Sequence, residues 1–383
     1  MTIYFVAGEV SADNHGAALI HSLRKLSGEL KFIGRGGPQM REVAGGQFKN
    51  WIGEAAVLGL WEVLRKYGYF RGQFHETLRE IQKSKPDAVV LIDYPGFNLR
   101  LARALRRQAP RQKVIYYISP QVWAWNRGRI KRMADFVDLV LCIFPFEVDL
   151  YNQAGLRALF VGHPMIERLS ARKINTRRDR NLIGLFPGSR SREVRKILPV
   201  MLETARELRQ HNSNLRFEVA AASEELAQEI NCLWHRHPAD QTRALEARST
   251  IQVTVGQAVE IMQRAWAGIV ASGSATLEGA YFRLPFVLIY KVAWPTYLAA
   301  RLVVNVKYLG MPNLLADKEV VPEFIQHLAK PNAIVKAVQP LIEDENARKR
   351  MISEFDAIIP QLGEIGASQT AARAIIEEIA SSI

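Results

Sequence analysis

Short apolar runs alternate with amphipathic stretches along most of the chain. Ile3–Ala7, Ala88–Ile92, Val114–Ile118, Leu139–Ile143 and Ala158–Val161 are such runs, each followed by a polar or helically spaced segment. After the first, Asp13–Leu26 places Ala17, Ile20 and Leu23 at helical spacing. Runs of this length between helices predict parallel strands covered on both faces. Ser170–Asn181 is polar and without apolar period, and reads as a linker. The pattern restarts with Leu182–Phe186, Phe217–Ala221, Ile251–Val255, Gly268–Ala271 and Phe286–Tyr290. From Pro331 to Ile383 the spacing is helical, with Pro340 and Pro360 as breaks. The prediction is an α/β chain of two doubly wound, Rossmann-like domains, 1–169 and 182–383, joined by the linker 170–181. A cleft is expected between them, and a helical tail at the end of the second. Ligands of such sheets sit outside the carboxyl ends of the strands, so the loops there carry the chemistry.

Composition narrows the class. A length of 383 residues suits two domains, and 48% hydrophobic with 23% charged residues excludes a disordered chain. The longest uncharged runs, Val114–Asn126 and Ala265–Leu277, have 13 residues each. A membrane-spanning helix needs about 18–20. The start, MTIYFVAGEVS, has no basic leader, so no signal peptide is expected. Cys142 and Cys232 are too few for a disulfide scaffold or a thiolate metal site. A soluble, reduced, cytoplasmic protein is the expectation. The formal charge, 51 − 38 = +13, is uneven: Arg100 to Arg132 holds ten basic residues and no acid. Such a surface attracts nucleic acid, anionic membrane or a phosphorylated substrate, and charge alone does not choose.

The loops after the strands are more selective. Gly8–Asp13 follows the first strand; Ser11 or Asp13 can cap the next helix, while Glu9, Ser11 and Asp13 are also candidates to meet a substrate. Asp93-Tyr94-Pro95-Gly96-Phe97-Asn98 puts a carboxylate at the end of a buried strand, where it must be solvated, paired or used. Asp93 is therefore a candidate general base, and Asn98 a turn, cap or substrate-side residue. Trp123 and Trp125 read as packing groups, and His163 as a hinge or functional residue. In the second half, Gly188, Ser189 and Arg190 open a helix with a flexible backbone, free N–H groups and a guanidinium. Ser272, Gly273, Ser274, Ala275 and Thr276 repeat that arrangement, with Glu278 one turn into the helix, able to reach ribose hydroxyls. Two such loops favour a bound diphosphate.

Absent motifs matter as well. There is no G-x-G-x-x-G, no GxxxxGK[ST], no HExxH and no D-x-D. No metal and no cofactor are expected, and a departing diphosphate would be stabilised by cations and helix dipoles. Leu60, Trp61, Leu64, Tyr67 and Phe70 form an apolar stripe flanked by Arg65, Lys66 and Arg71, the pattern of either an interfacial helix or a packed surface helix.

In chain order GEVSAD (8–13), VLGLWEVL (57–64), IDYPGFN (92–98), YISPQVWAW (117–125), GHP (162–164), PGSR (187–190), SGSATLE (272–278) and MPNLLA (311–316) span nearly the whole sequence. Together they resemble the lipid-A-disaccharide synthase family. Two positions depart from its usual pattern: Ala12 replaces a Gly, which would disfavour a positive φ, and Ser274 stands where Thr is common. The resemblance implies an inverting glycosyltransferase of GT-B architecture. It would move 2,3-diacylglucosamine from UDP to 2,3-diacylglucosamine 1-phosphate, giving a β-1,6-linked disaccharide and UDP, at the inner face of the cytoplasmic membrane. Family functional positions match Asp93, Arg190 and Asn313, with Asp93 as base, Arg190 and the 272–276 backbone as leaving-group stabilisers, and Glu278 and Asn313 holding UDP. A homodimer exchanged through the C-terminal helices is implied by the family alone. The competing readings are another enzyme of this architecture, such as a UDP-sugar epimerase, and a basic nucleic-acid-binding protein, which would leave SGSATLE and IDYPGFN without a purpose.

Overall fold

Each continuous Val/Ile/Leu run of the first half becomes a strand of one parallel sheet in a computed structural model. The structure describes residues 1–46, 48–55, 67–124, 128–235, 251–303 and 306–381. The sheet orders its strands β3-β2-β1-β4-β5-β6-β7: β1 is Thr2–Ala7, β2 Lys31–Gly36, β3 Phe48–Asn50, β4 Ala88–Ile92, β5 Lys113–Tyr117, β6 Leu139–Cys142 and β7 Ala158–Phe160. β4, all apolar, is buried along its whole length, as a strand covered on both faces must be. A second parallel sheet orders β10-β9-β8-β11-β12-β13: β8 is Asp179–Phe186, β9 Arg216–Ala221, β10 Ile251–Val255, β11 Ala265–Ala271, β12 Phe286–Tyr290 and β13 Glu323–Ile325. Both sheets are doubly wound. Chain order reverses between β1 and β4 in the first and between β8 and β11 in the second. At such switch points the loops diverge and leave a crevice for ligand.

Three strands lie outside the sequence expectation. β2 reads KFIGRG, where Gly34 and Gly36 break the apolar run and Arg35 is charged yet buried. Gly34 has φ 142°, and a Cβ there would come within 2.1 Å of the Phe5 carbonyl on β1. Arg35 is tolerated inside because Glu80 and Glu76 pair with it at 2.8 and 3.1 Å. β3 and β13, three residues each, are too short for periodicity to register.

The expected domain limits need correction. The chain divides into Met1–Glu167 with Leu362–Ile383, and Arg168–Gln361. The last part of the tail thus belongs with the first sheet rather than the second. Helix Ala367–Ala380 buries Ala371, Ala372, Ile375 and Ile379, part of the apolar core around helix Val10–Leu26 and strands β1, β4, β5 and β6. Glu378 anchors it to Lys113 at 2.8 Å and Arg157 at 2.6 Å. The return is made at Gly363, where a Cβ would lie 3.1 Å from Gly162 Cα, and the His163 N–H donates to the Leu362 carbonyl at 2.8 Å. The expected linker overlaps structure at both ends, since helix Met165–Ser170 includes Ser170 and β8 begins at Asp179. Pro340 is no break either: it lies inside helix Pro331–Glu343. Among the described residues no helix is long and apolar enough to cross a membrane.

Candidate active site

In the first unit the switch point brings Glu9 and Asp93 together. β1 and β4 run in register with Ala7 beside Ile92, so Gly8 and Asp93 leave the sheet side by side. Gly8 must be glycine here, because a Cβ would fall 2.4 Å from the Tyr94 ring. Asp93 and Tyr94 both have left-handed backbones, φ 45° and 50°. Two consecutive non-glycine residues in that region store about 1–3 kcal/mol each, a strain that concentrates at functional sites. Neighbours hold the turn: Asp93 N–H donates to the Tyr117 carbonyl at 3.0 Å, and the Asp93 carbonyl accepts from Asn98 Nδ2 at 2.8 Å and from Tyr116 Oη. Pro95 then starts helix Pro95–Gln108.

This environment makes Asp93 a better base than a free aspartate. Burial raises its carboxyl, the negative charge of Glu9 adds to the rise, and the Tyr94 N–H partly offsets it, leaving it pushed up to about 6. The apolar surroundings come from Trp51, Tyr94 and Phe97, whose rings pack edge-on or tilted 5.0 to 6.2 Å apart. Trp51 is fixed by its indole N–H, which donates to the Ala7 carbonyl at 2.6 Å.

Two of the polar residues expected to face substrate, Asp13 and Asn98, turn inward. Asp13 is buried and accepts from the N–H groups of Gly37, Gln39 and Met40 at 2.8, 3.0 and 3.0 Å, so it caps helix Pro38–Ala44 rather than its own. Asn98 is buried too and positions Asp93, donating to the Ile92 carbonyl at 3.2 Å and to that of Asp93. Ser11 is exposed in the first turn of helix Val10–Leu26 and caps nothing. Ala12 lies inside the same helix and is buried, so the missing Gly disturbs no turn.

The loop after β5 is held from below. Glu147, fully buried on helix Pro145–Asn152, accepts from Trp123 Nε1 at 2.9 Å, and Tyr151 Oη, one turn on, donates to the Pro120 carbonyl at 3.0 Å. Trp123 is thus a packed residue; Trp125 lies outside the described residues. Burial pushes the Glu147 carboxyl up to about 7. An acid raised in the folded state binds its proton longer than in the unfolded chain, so stability falls as pH climbs from about 4.5 to about 7. Glu147→Gln is expected to remove a fall on the order of 3 kcal/mol across that window, read from urea unfolding at several pH values. Wild-type and variant curves of equal slope would contradict it.

In the second unit the switch point joins the two phosphate-type loops. Phe186 of β8 sits beside Val270 of β11, so Pro187–Arg190 and Ser272–Thr276 leave the sheet as neighbours. Gly188 has φ 107° and Gly273 φ 146°, both favoured by glycine. Gly273 caps helix Ser274–Tyr281, whose first N–H groups, at Ser274 and Ala275, have no helical acceptor. Thr276 spends its hydroxyl on the Gly273 carbonyl at 2.7 Å and is buried, so it shapes the loop rather than facing ligand. Ser272 is fixed by its N–H to the Ile289 carbonyl at 3.0 Å. Arg190 caps helix Ser191–His211 with its backbone, leaving the guanidinium 65% exposed and 3.1 Å from Glu193.

Asn313 and Glu278, expected to hold UDP, are both engaged with protein partners. Asn313 is buried, with both ends of its amide in use: Nδ2 donates to the Val321 carbonyl and Glu323 at 2.8 Å each, and Oδ1 accepts from Val320 and Val321 N–H at 2.7 and 2.8 Å. Its effect is to fix the start of helix Met311–Ala316, where Glu323 also accepts from Gly310 N–H at 2.8 Å. Glu278 has its carboxylate taken by Arg168 at 2.5 Å. Tyr290, at the end of β12, was missed by sequence reading; burial raises its hydroxyl, the charge of Glu193 adds to the rise and that of Arg190 offsets it. Its position closing a predicted strand was the available signal. Among the described residues no group of three or more His, Cys, Asp or Glu side chains gathers as a metal site.

The apolar stripe is only partly visible. Leu60, Trp61, Leu64 and the Tyr67 side chain lie outside the described residues. Phe70 is half-buried on helix Tyr67–Ser84, edge-on to Tyr69 at 5.5 Å.

A family model described as lipid-A-disaccharide synthetase matches residues 3–376. A lipid-A-disaccharide synthase from Geobacter sulfurreducens is 37% identical over 391 residues, covering 100% of this chain and 98% of the relative. Among solved structures, an S. aureus MnaA–UDP co-structure superposes with a TM-score of 0.62 at 14% identity, covering 100% of this chain and 97% of that one. A UDP-GlcNAc 2-epimerase from Neisseria meningitidis bound to UDP-GlcNAc gives 0.60 at 12%, covering 98% and 99%. At such identities the structural likeness concerns the fold alone, whereas the sequence match runs end to end.

Proposed function

Because the chain belongs to the lipid-A-disaccharide synthetase family, we propose that Asp93 is the general base and Arg190 the leaving-group stabiliser of its glycosyl transfer. The protein is a GT-B glycosyltransferase of lipid A biosynthesis. It moves 2,3-diacylglucosamine from UDP to 2,3-diacylglucosamine 1-phosphate, inverting the anomeric centre.

The acceptor hydroxyl attacks the anomeric carbon and gives its proton to the Asp93 carboxylate, while the bond to the diphosphate breaks and UDP leaves with the electron pair. A base near 6 is ionised at neutral pH yet takes a proton more readily than an ordinary aspartate. The departing charge meets the Ser274 and Ala275 N–H groups, the positive end of their helix and the Arg190 guanidinium. Gly188 and Gly273 let the backbone come close to the phosphates. Asn98, Asn313 and Glu323 act through what they hold.

The observation that carries this is the strained Asp93–Tyr94 turn at the switch point, with a carboxylate raised by burial and by Glu9. The same reading places the protein on the inner face of the cytoplasmic membrane, where its acylated substrates reside, with the basic 100–132 block toward anionic lipid. Incubation with UDP-diacylglucosamine and diacylglucosamine 1-phosphate is expected to yield UDP and a disaccharide 1-phosphate by mass spectrometry. UDP release without disaccharide, or 2-epimerised donor alone, would count against it.

A further inference from the structure

Five of the ten basic residues between Arg100 and Arg132 line one groove. Along helix Pro95–Gln108 a groove of about 460 Å³ is lined by Arg100, Arg103, Arg107, Arg129 and Arg132, with Phe74, Leu99 and Phe136 as apolar surface. The helix arginines stand at i, i+3 and i+7, one face of about 10 Å. No carboxylate lines the groove among the described residues. Arg106, between them in sequence, is turned away to Asp138 at 2.7 Å. The Arg103 guanidinium lies 5.5 Å over the Phe136 ring, which sets a charged head against an apolar floor. One end is formed by Pro95 and Gly96, directly after the Asp93–Tyr94 turn.

Arg100, Arg103, Arg107 and Arg132 crowd like charge around a ligand-sized space, which an anion would relieve, and guanidinium forks match phosphate oxygens. The aromatic and aliphatic surface suits hydrocarbon. We propose that this groove binds the phosphate of an acyl lipid, with the arginines on the phosphate and the chains against Phe74, Leu99 and Phe136; the choice of an acylated ligand rests on the transferase reading above. Two molecules offer that chemistry, the acceptor with its 1-phosphate and an anionic phospholipid of the bilayer.

The test uses the full chain carrying Arg100→Gln, Arg103→Gln, Arg107→Gln and Arg132→Gln, all at exposed positions. Thermal unfolding checks that it folds. One arm measures co-sedimentation with vesicles of phosphatidylglycerol and phosphatidylcholine against phosphatidylcholine alone. The other measures KM for diacylglucosamine 1-phosphate and for the UDP donor in detergent micelles free of phospholipid. A tenfold or greater rise in acceptor KM, with donor KM unchanged, supports the acceptor as occupant. A tenfold or greater loss of phosphatidylglycerol-dependent binding, with acceptor KM unchanged, supports the bilayer lipid. Both readouts at wild-type values overturn the proposal. Vesicle binding needs no turnover, so an inactive wild type would defeat the transferase reading while leaving that arm informative.

Discussion

Asp93→Asn lowers kcat by about 10²–10⁴-fold, the usual contribution of a positioned general base. Asparagine has the same size and tolerates the left-handed backbone that position 93 adopts at φ 45°. The bonds that hold this turn involve the Asp93 main chain, from Tyr117, Asn98 and Tyr116, and all survive the change. Thermal stability and UDP affinity should therefore stay near wild type while turnover collapses. The pH dependence supplies a second check. Only the ionised carboxylate accepts a proton, so wild-type kcat/KM should rise with pH and level off above about 6. The residual rate of Asp93→Asn should lack that limb. A variant turning over within tenfold of wild type would remove Asp93 from the chemistry.

Arg190→Ala is expected to cost about 10²–10³ in kcat, the scale seen when one preorganised donor to a developing negative charge is removed. Its guanidinium is exposed and makes no cap bond, so the helix it starts does not depend on it. The loss should appear in UDP affinity as well as in kcat, because the ground-state diphosphate is already charged. It also frees Glu193, now 3.1 Å away, to repel the leaving group. Lysine should restore part of the rate, having the charge without the fork. Wild-type turnover by Arg190→Ala would mean that the amides of the 272–276 loop suffice.

Most of the two sheets could be read in advance because strands buried on both faces must be apolar throughout, and AVVLI or FVLIY has no other good use. Strand β2 hid because its fit depends on a missing Cβ at Gly34 and a buried ion pair at Arg35, neither of which leaves a period. The tail misled for a related reason: its helix has an apolar face, but the sequence does not say which sheet that face covers. At the site, position was legible and role was not. Strand-end loops pointed to Asp93, Gly188, Arg190 and Gly273. The same logic also picked Asp13 and Asn98, and the family resemblance added Asn313; their polar groups satisfy buried backbone donors and acceptors, in the case of Asp13 24 to 27 residues away. A loop polar residue that serves the backbone looks, in sequence, like one that serves a substrate.

A crystal grown with UDP in the presence of a chelator weighs the account most directly. The diphosphate should rest on the Ser274 and Ala275 amides with Arg190 turned onto it and the uridine lodged at the ends of β11 and β12. Nucleotide bound away from the 187–190 and 272–276 loops, or bound only once a divalent ion is supplied, would contradict it.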